Sequence, residues 1–210
     1  MEKKNKPQGE LIYGVNPLIE VLKAKRRKVV SIYTTRPTPK AWSKIEKLFP
    51  ERPIQIQYVT RDVLTNMAKT TDHQGIVAWV QHFPFRSKPF DPTRQKFLVL
   101  LDGIQDPRNV GAILRSTYCT GADGVILIDR FAAPLNAAAF KSSAGLAEHL
   151  EIMVVPTAPA AVQVLKEAGY AIYLAAFGGK SALEIEYKSP LCLIIGYEGE
   201  GIQPALLKCG

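Results

Sequence analysis

Cysteine is scarce in this chain: three residues in 210, Cys119, Cys192 and Cys209, odd in number and far apart. That argues against a disulfide framework and leads us to expect buried free thiols in a reducing cytoplasm. Histidine is equally scarce. His73, His82 and His149 make no metal-ligand spacing with the cysteines, so no metal site is expected. No apolar run reaches the length of a membrane span. The opening "MEKKNKPQGE" has no apolar centre, so no secretory signal is expected there. Internal repeats and low-complexity blocks are missing too. Acidic residues are in deficit, 19 against 27 Lys and Arg, for a formal net charge of +8. Such an excess suits a polyanionic partner such as RNA, although many basic proteins bind none.

What is present is a strand–helix alternation in two stretches. Residues 1–10 read as a solvated, disordered tail. Residues 11–81 read as one small α/β domain. In "NPLIEVLKAKR" Asn16 is the expected cap and Leu18, Val21 and Leu22 share a face. "VVSIYTT", "IQIQYV" and "GIVAWV" read as strands, and "KAWSKIEKLF" and "RDVLTNMAK" as helices. A basic cluster, Lys23, Lys25, Arg26, Arg27 and Lys28, follows the first helix. Residues 82–96 hold three prolines and no apolar period, and read as a linker. From 97 to 210 the strands "FLVLLD", "GVILI", "IMVV", "YAIYLAA" and "LCLIIG" alternate with helices, which predicts a parallel sheet covered on both faces. The stretch "AAAFKSSAGLAEHL" is expected to be mostly helical and to belong to this second domain.

Two familiar phosphate motifs fail. "FGGKSAL" resembles the end of a Walker loop, but Leu174 stands where its first glycine is required. The turn after "FLVLLD" carries no G-x-G-x-x-G. Two strand-end loops remain, "DGIQDPRNVGAILR" and "IIGYEGEGI", and ligands of open α/β sheets bind at such ends. Asn109 reads as a helix cap, and Arg115 lies about 120° around the helix from it, so both can flank one mouth. Glu198 lies in a glycine-rich loop with Gly196, Gly199 and Gly201. On glycine spacing alone a plain turn with a solvated glutamate ranks first, and an ordinary cap and a solvated arginine also account for Asn109 and Arg115.

Taken together, "LDGIQDPRNVGAILRS", "KSSAGLAEHL" and "LIIGYEGEGI" resemble the SpoU (TrmH-type) family of RNA 2′-O-ribose methyltransferases in the SPOUT superfamily. The subgroup acting on 23S ribosomal RNA guanosine is most similar. "IYGVNPLIEVLKAKRRKVVSIYTT" and "DHQGIVAWV" resemble the small RNA-binding domain many members carry. The resemblance implies an α/β chain with two parts, an RNA-binding domain at 11–81 and a C-terminally truncated SPOUT methyltransferase domain at 97–210, in which the family's trefoil knot is expected to be incomplete. It implies S-adenosylmethionine as methyl donor, RNA as partner, a homodimer and a cytoplasmic location.

Asn109, Arg115 and Glu198 fall on the family's catalytic motif positions. Ile195, Gly196, Glu198, Gly201 and Ile202 fall on its cofactor loop. Lys23, Lys25, Arg26, Arg27, Lys28 and Arg108 are the expected RNA contacts, with Arg86, Lys88 and Arg94 of the linker beside them. A third family motif, which supplies the other wall of the cofactor cup, is not among these residues. Two readings therefore stand from sequence: a ribosomal (alternatively transfer) RNA methyltransferase, or an RNA-binding protein that keeps the fold without the catalysis. A purely metabolic enzyme fits the basic first domain less well.

Overall fold

A computed structural model describes residues 9–129, 133–197 and 201–207. The chain divides into two compact units. One comprises the residues up to Pro84 together with Leu135–His149, the other Phe85–Pro134 together with the residues from Leu150 onward.

The first unit is a mixed four-stranded sheet with helices. Its elements are β1 (Glu10–Tyr13), α1 (Val15–Ala24), β2 (Val29–Thr34), α2 (Trp42–Glu46), β3 (Gln55–Tyr58), α3 (Arg61–Ala68) and β4 (Ile76–Val80). The sheet order is β1-β4-β2-β3, with β2 and β3 parallel and the other pairings antiparallel. β1 is an addition to the elements expected from sequence. It starts at Glu10, a residue expected in the tail. In α1, Pro17, Leu18, Val21 and Leu22 turn inward as their spacing dictates, but the helix starts earlier than expected. Gly14 is its cap, and Asn16 sits in its first turn.

The segment 135–149, expected in the second domain, packs with this unit. It is not one helix. It forms a short helix, α5 (Ala137–Ser142), capped by Asn136, and then a 3-10 turn, Leu146–His149. Left-handed backbone at Ala144 and Gly145 splits the two. Phe140 is fully buried and packs against Phe83, with ring centroids 5.7 Å apart.

The second unit is the expected parallel sheet. Its strands are β5 (Phe97–Asp102), β6 (Gly124–Ile128), β7 (Ile152–Val155), β8 (Ala171–Ala175) and β9 (Leu191–Gly196), in the order β7-β6-β5-β9-β8. All four pairings are parallel. Its helices are α4 (Pro107–Cys119), α6 (Ala158–Glu167) and the short α7 (Pro204–Leu207). Leu98, Leu100, Ile126, Val162, Leu165, Cys192, Ile194 and Ile202 form the core. Burial pushes the Cys192 thiol up to about 12, so it is an inert core residue. Cys119 departs from expectation: it is exposed at the end of α4. Cys209 lies outside the described residues.

The stretch 82–96 has almost no regular structure, yet it is anchored. Phe83 is buried in the first unit and Phe90 in the second. The Tyr170 hydroxyl donates to the Gln95 carbonyl at 2.7 Å.

Candidate active site

The site is built where the strand order reverses. The chain runs outward from β5 to β6 and β7, then returns on the other side of β5 through β8 and β9. β5 and β9 are therefore adjacent and parallel, and their ends are in register, with Asp102 opposite Gly196. Two loops leave side by side from this switch point, the location at which open α/β sheets bind ligands.

The first loop leads into α4. Asp106, not Asn109, caps this helix: its carboxylate accepts from the Arg108 N–H at 2.8 Å, and Pro107 takes the first helical position. Asn109 therefore sits inside the first turn, half-buried, and the capping role that would plainly explain it belongs to another residue. Arg115 lies six residues on, about 9 Å further along the axis, and is exposed. The helix closes with two bonds, Gly121 N–H to the Tyr118 carbonyl and Ala122 N–H to the Thr117 carbonyl, at 3.1 and 3.2 Å. These are the pair that defines a Schellman stop, with Gly121 at φ 74°.

The second loop leaves β9 and turns back at once. Tyr197 and Gly201 exchange both backbone bonds, at 3.0 and 2.8 Å, which closes a small ring. Gly196 must be glycine, because the backbone of Gly201 and Ile202 occupies the space a Cβ would take. The Ile202 side chain is buried in the core, so only its backbone is available to a ligand. Of the expected cofactor residues, Ile195, Gly196, Gly201 and Ile202 come together here. Glu198, expected in both the catalytic and the cofactor sets, lies outside the described residues, as does Gly199.

Asp102 joins the two loops, and sequence reasoning does not single it out. It is the last residue of β5 and is 1% exposed. Its two carboxylate oxygens accept from Gln203, one from the side-chain amide at 2.9 Å and one from the backbone N–H at 3.1 Å. Burial pushes the Asp102 carboxyl above its usual range, against the opposing effect of the Gln203 backbone bond. A carboxylate spanning the start of one loop and the end of the other fixes their spacing. In sequence, an Asp after an apolar strand followed by glycine looks like any turn.

The expected RNA contacts divide. Lys25 and Lys28 are exposed, and Lys23 is exposed with a 2.8 Å ion pair to Glu20. Arg108 is exposed at the start of α4. Arg26 is half-buried and donates to the Glu148 carbonyl at 3.3 Å. Arg27 is a correction. Its side chain is 1% exposed, clamped by both Glu148 oxygens at 2.5 and 3.1 Å, paired with Glu10 at 2.6 Å, and stacked on Phe140. It cannot reach a phosphate. Arg86 is also spent internally, on the Lys88 and Pro89 carbonyls and the Phe90 ring. Among the described residues no cluster of metal-ligating side chains occurs, and no helix is long and apolar enough to cross a membrane.

Comparison with known proteins agrees with this geometry. The SpoU rRNA methylase family model matches residues 96–209, and the model for the RNA 2′-O ribose methyltransferase substrate-binding domain matches 11–85. A Bacillus subtilis protein named for the TrmH family of tRNA/rRNA methyltransferases is 30% identical, over 93% of this chain and 81% of its own length. The Shewanella oneidensis 23S rRNA (guanosine-2′-O-)-methyltransferase is 28% identical, over 95% of this chain and 84% of its own. Several other relatives are matched over only 38–64% of their length. In structure, the AdoMet complex of the SpoU methyltransferase AviRb from Streptomyces viridochromogenes superposes with a TM-score of 0.74 at 24% identity, covering 95% of this chain and 77% of that one. With a parallel sheet, paired strand-end loops and a match across more than half its length, the chain belongs to the SpoU rRNA methylase family of RNA methyltransferases.

Proposed function

We propose that this protein transfers the methyl group of S-adenosylmethionine to a ribose 2′-hydroxyl of ribosomal RNA. The observation that carries the reading is the register of Asp102 against Gly196, which sets the two family loops side by side at the switch point. The cofactor fits what is there. The second loop offers main-chain amides and carbonyls at Ile195, Gly196 and Ile202, and a Cβ added at Gly103 or Gly201 would meet open space. When bound, S-adenosylmethionine supplies a sulfonium-activated methyl group.

The task left to the protein is the nucleophile, a hydroxyl that is barely acidic near neutral pH. As the 2′-oxygen forms its bond to the methyl carbon, the carbon–sulfur bond breaks, its electron pair stays on sulfur, and the hydroxyl proton passes to solvent. The Arg115 guanidinium stabilises the alkoxide character and holds the adjoining phosphate. Its role is electrostatic, because a guanidinium offers hydrogen-bond donors and no acceptor. Asn109 orients the ribose. Ribosomal over transfer RNA is supported by the name of the Shewanella relative. We place the enzyme in the cytoplasm, as a homodimer. Fully exposed Phe177 and Leu183 in the second unit support self-association, which sedimentation checks.

The test is methyl transfer from labelled cofactor to ribosomal and to transfer RNA, followed by nuclease digestion. Label in 2′-O-methylnucleosides from the ribosomal substrate is expected. Label on a base, or none, overturns the reading, and label in transfer RNA alone overturns the substrate.

A further inference from the structure

The first unit contains a groove that the reaction does not use. It has a volume of about 880 Å³ and lies between the carboxyl end of α1, the start of β2 and the loop before β3. Its walls combine an excess of positive charge, set against the single carboxylate of Glu51, with apolar surface. Lys25, Lys28 and Arg52 bring positive charge, and none of the three has an ion-pair partner among the described residues. Val30, Phe49 and Pro53 bring apolar surface. Val30 is 42% exposed, and Phe49 is held in place by an edge-on contact with Trp42. Lys25 stands on left-handed backbone at the end of α1.

We infer that this groove holds an unpaired stretch of RNA, one or two nucleotides long, away from the methylated ribose. The inference rests on the proposed function and extends it to a second contact on the substrate. Three cations without partners call for a polyanion. A polyanion alone would gain nothing from the apolar wall. Duplex RNA keeps its base faces stacked inside, whereas an unpaired strand offers both phosphates and flat apolar bases. The volume lies within the range of pockets that enclose small organic groups. Arg52 thereby joins the RNA-contacting residues and Arg27 leaves them.

The test measures binding of the full chain to a short unpaired oligoribonucleotide, a hairpin duplex of equal length and polyglutamate, across a range of salt. The unpaired strand is expected to bind best. Arg52→Glu and Lys28→Glu should each weaken it about tenfold and reduce the log–log salt slope by about 0.7 for each phosphate no longer neutralised. Arg61→Glu, at the opposite end of β3, should leave it unchanged. At saturating RNA the two groove variants should keep kcat while KM for RNA rises. Wild-type affinity in both groove variants overturns the inference. So does an equal weakening on the duplex, or equal binding of polyglutamate, which would point to an acidic protein partner. Methyl transfer by wild type is read separately. If transfer persists while the groove variants bind normally, the groove assignment falls and the enzyme stands; if transfer fails, the enzyme reading falls while binding still decides the groove.

Discussion

Asp102 and Arg115 make opposite use of charge. Asp102 is buried, and among the described residues its hydrogen bonds come from Gln203 alone, so ionisation there is costly. Its folded-state pKa is raised above that of the unfolded chain. The protonated carboxyl therefore favours the fold below the ordinary aspartate range near about 3.9, and that advantage is lost as pH rises through the raised folded value. Asp102→Asn keeps the shape without the charge, and its stability relative to wild type should improve with rising pH in urea titrations. A difference independent of pH would remove the charge from the account. Asp102→Ala should cost about 1–3 kcal/mol, because the Gln203 N–H is left without an acceptor. Arg115 is exposed and carries no such structural duty in the fold, so Arg115→Ala should leave stability and cofactor affinity close to wild type. Single-turnover assays should show a loss of about 10²–10³ in rate, as for removal of an oxyanion donor. Near wild-type turnover would end its assigned role. Arg115 is singled out by the family resemblance, because its place in a helix after a polar turn reads by itself as a solvated side chain. Asp102 is not, because its burial depends on a loop a hundred residues away.

Helices and strands were legible where periodicity was long, and their ends were not. The apolar runs of β5, β6 and β9 stand where the sequence puts them, since a strand buried on both faces leaves an unmistakable pattern. Caps proved less predictable. Asp106 displaced Asn109, and Gly14 displaced Asn16, because several residues near each start could cap and packing chose among them. β1 was missed because four residues continuous with a polar tail carry little period. At the end of β9 the turn is set by contact between backbones. Gly196→Ala should force that turn apart, so calorimetry should show a large loss of cofactor affinity while circular dichroism reports an intact sheet. Unchanged affinity would mean that the loop tolerates opening and that the cofactor does not depend on its closure.

At the scale of the molecule, the parallel sheet was readable, and the path of the chain was not. The sequence suggests a cut at the proline-rich stretch, but the first unit takes back Leu135–His149. The reason is visible in Arg27: its guanidinium is buried against Phe140 and the Gln81 carbonyl, and Glu148, the buried carboxylate that pairs with it, comes from this returning segment. Glu148→Ala should therefore cost about 3–5 kcal/mol, the usual penalty for leaving one member of a buried pair alone. A fragment of residues 1–96 should unfold at lower urea than the same unit in the whole chain; equal midpoints would show that the returning segment is dispensable. The detour also imposes a timetable on synthesis. Once Pro84 has left the ribosome, 65 further residues must be made before His149 follows. At about 5–20 residues per second that is a wait of roughly 3–13 s. Throughout it, Glu10 is the one carboxylate among the described residues already made that pairs with Arg27, and Phe83 lacks the Phe140 ring it will later pack against. The nascent first unit is thus a client for whatever holds unfinished chains apart, and its last step waits for a segment made 65 residues later.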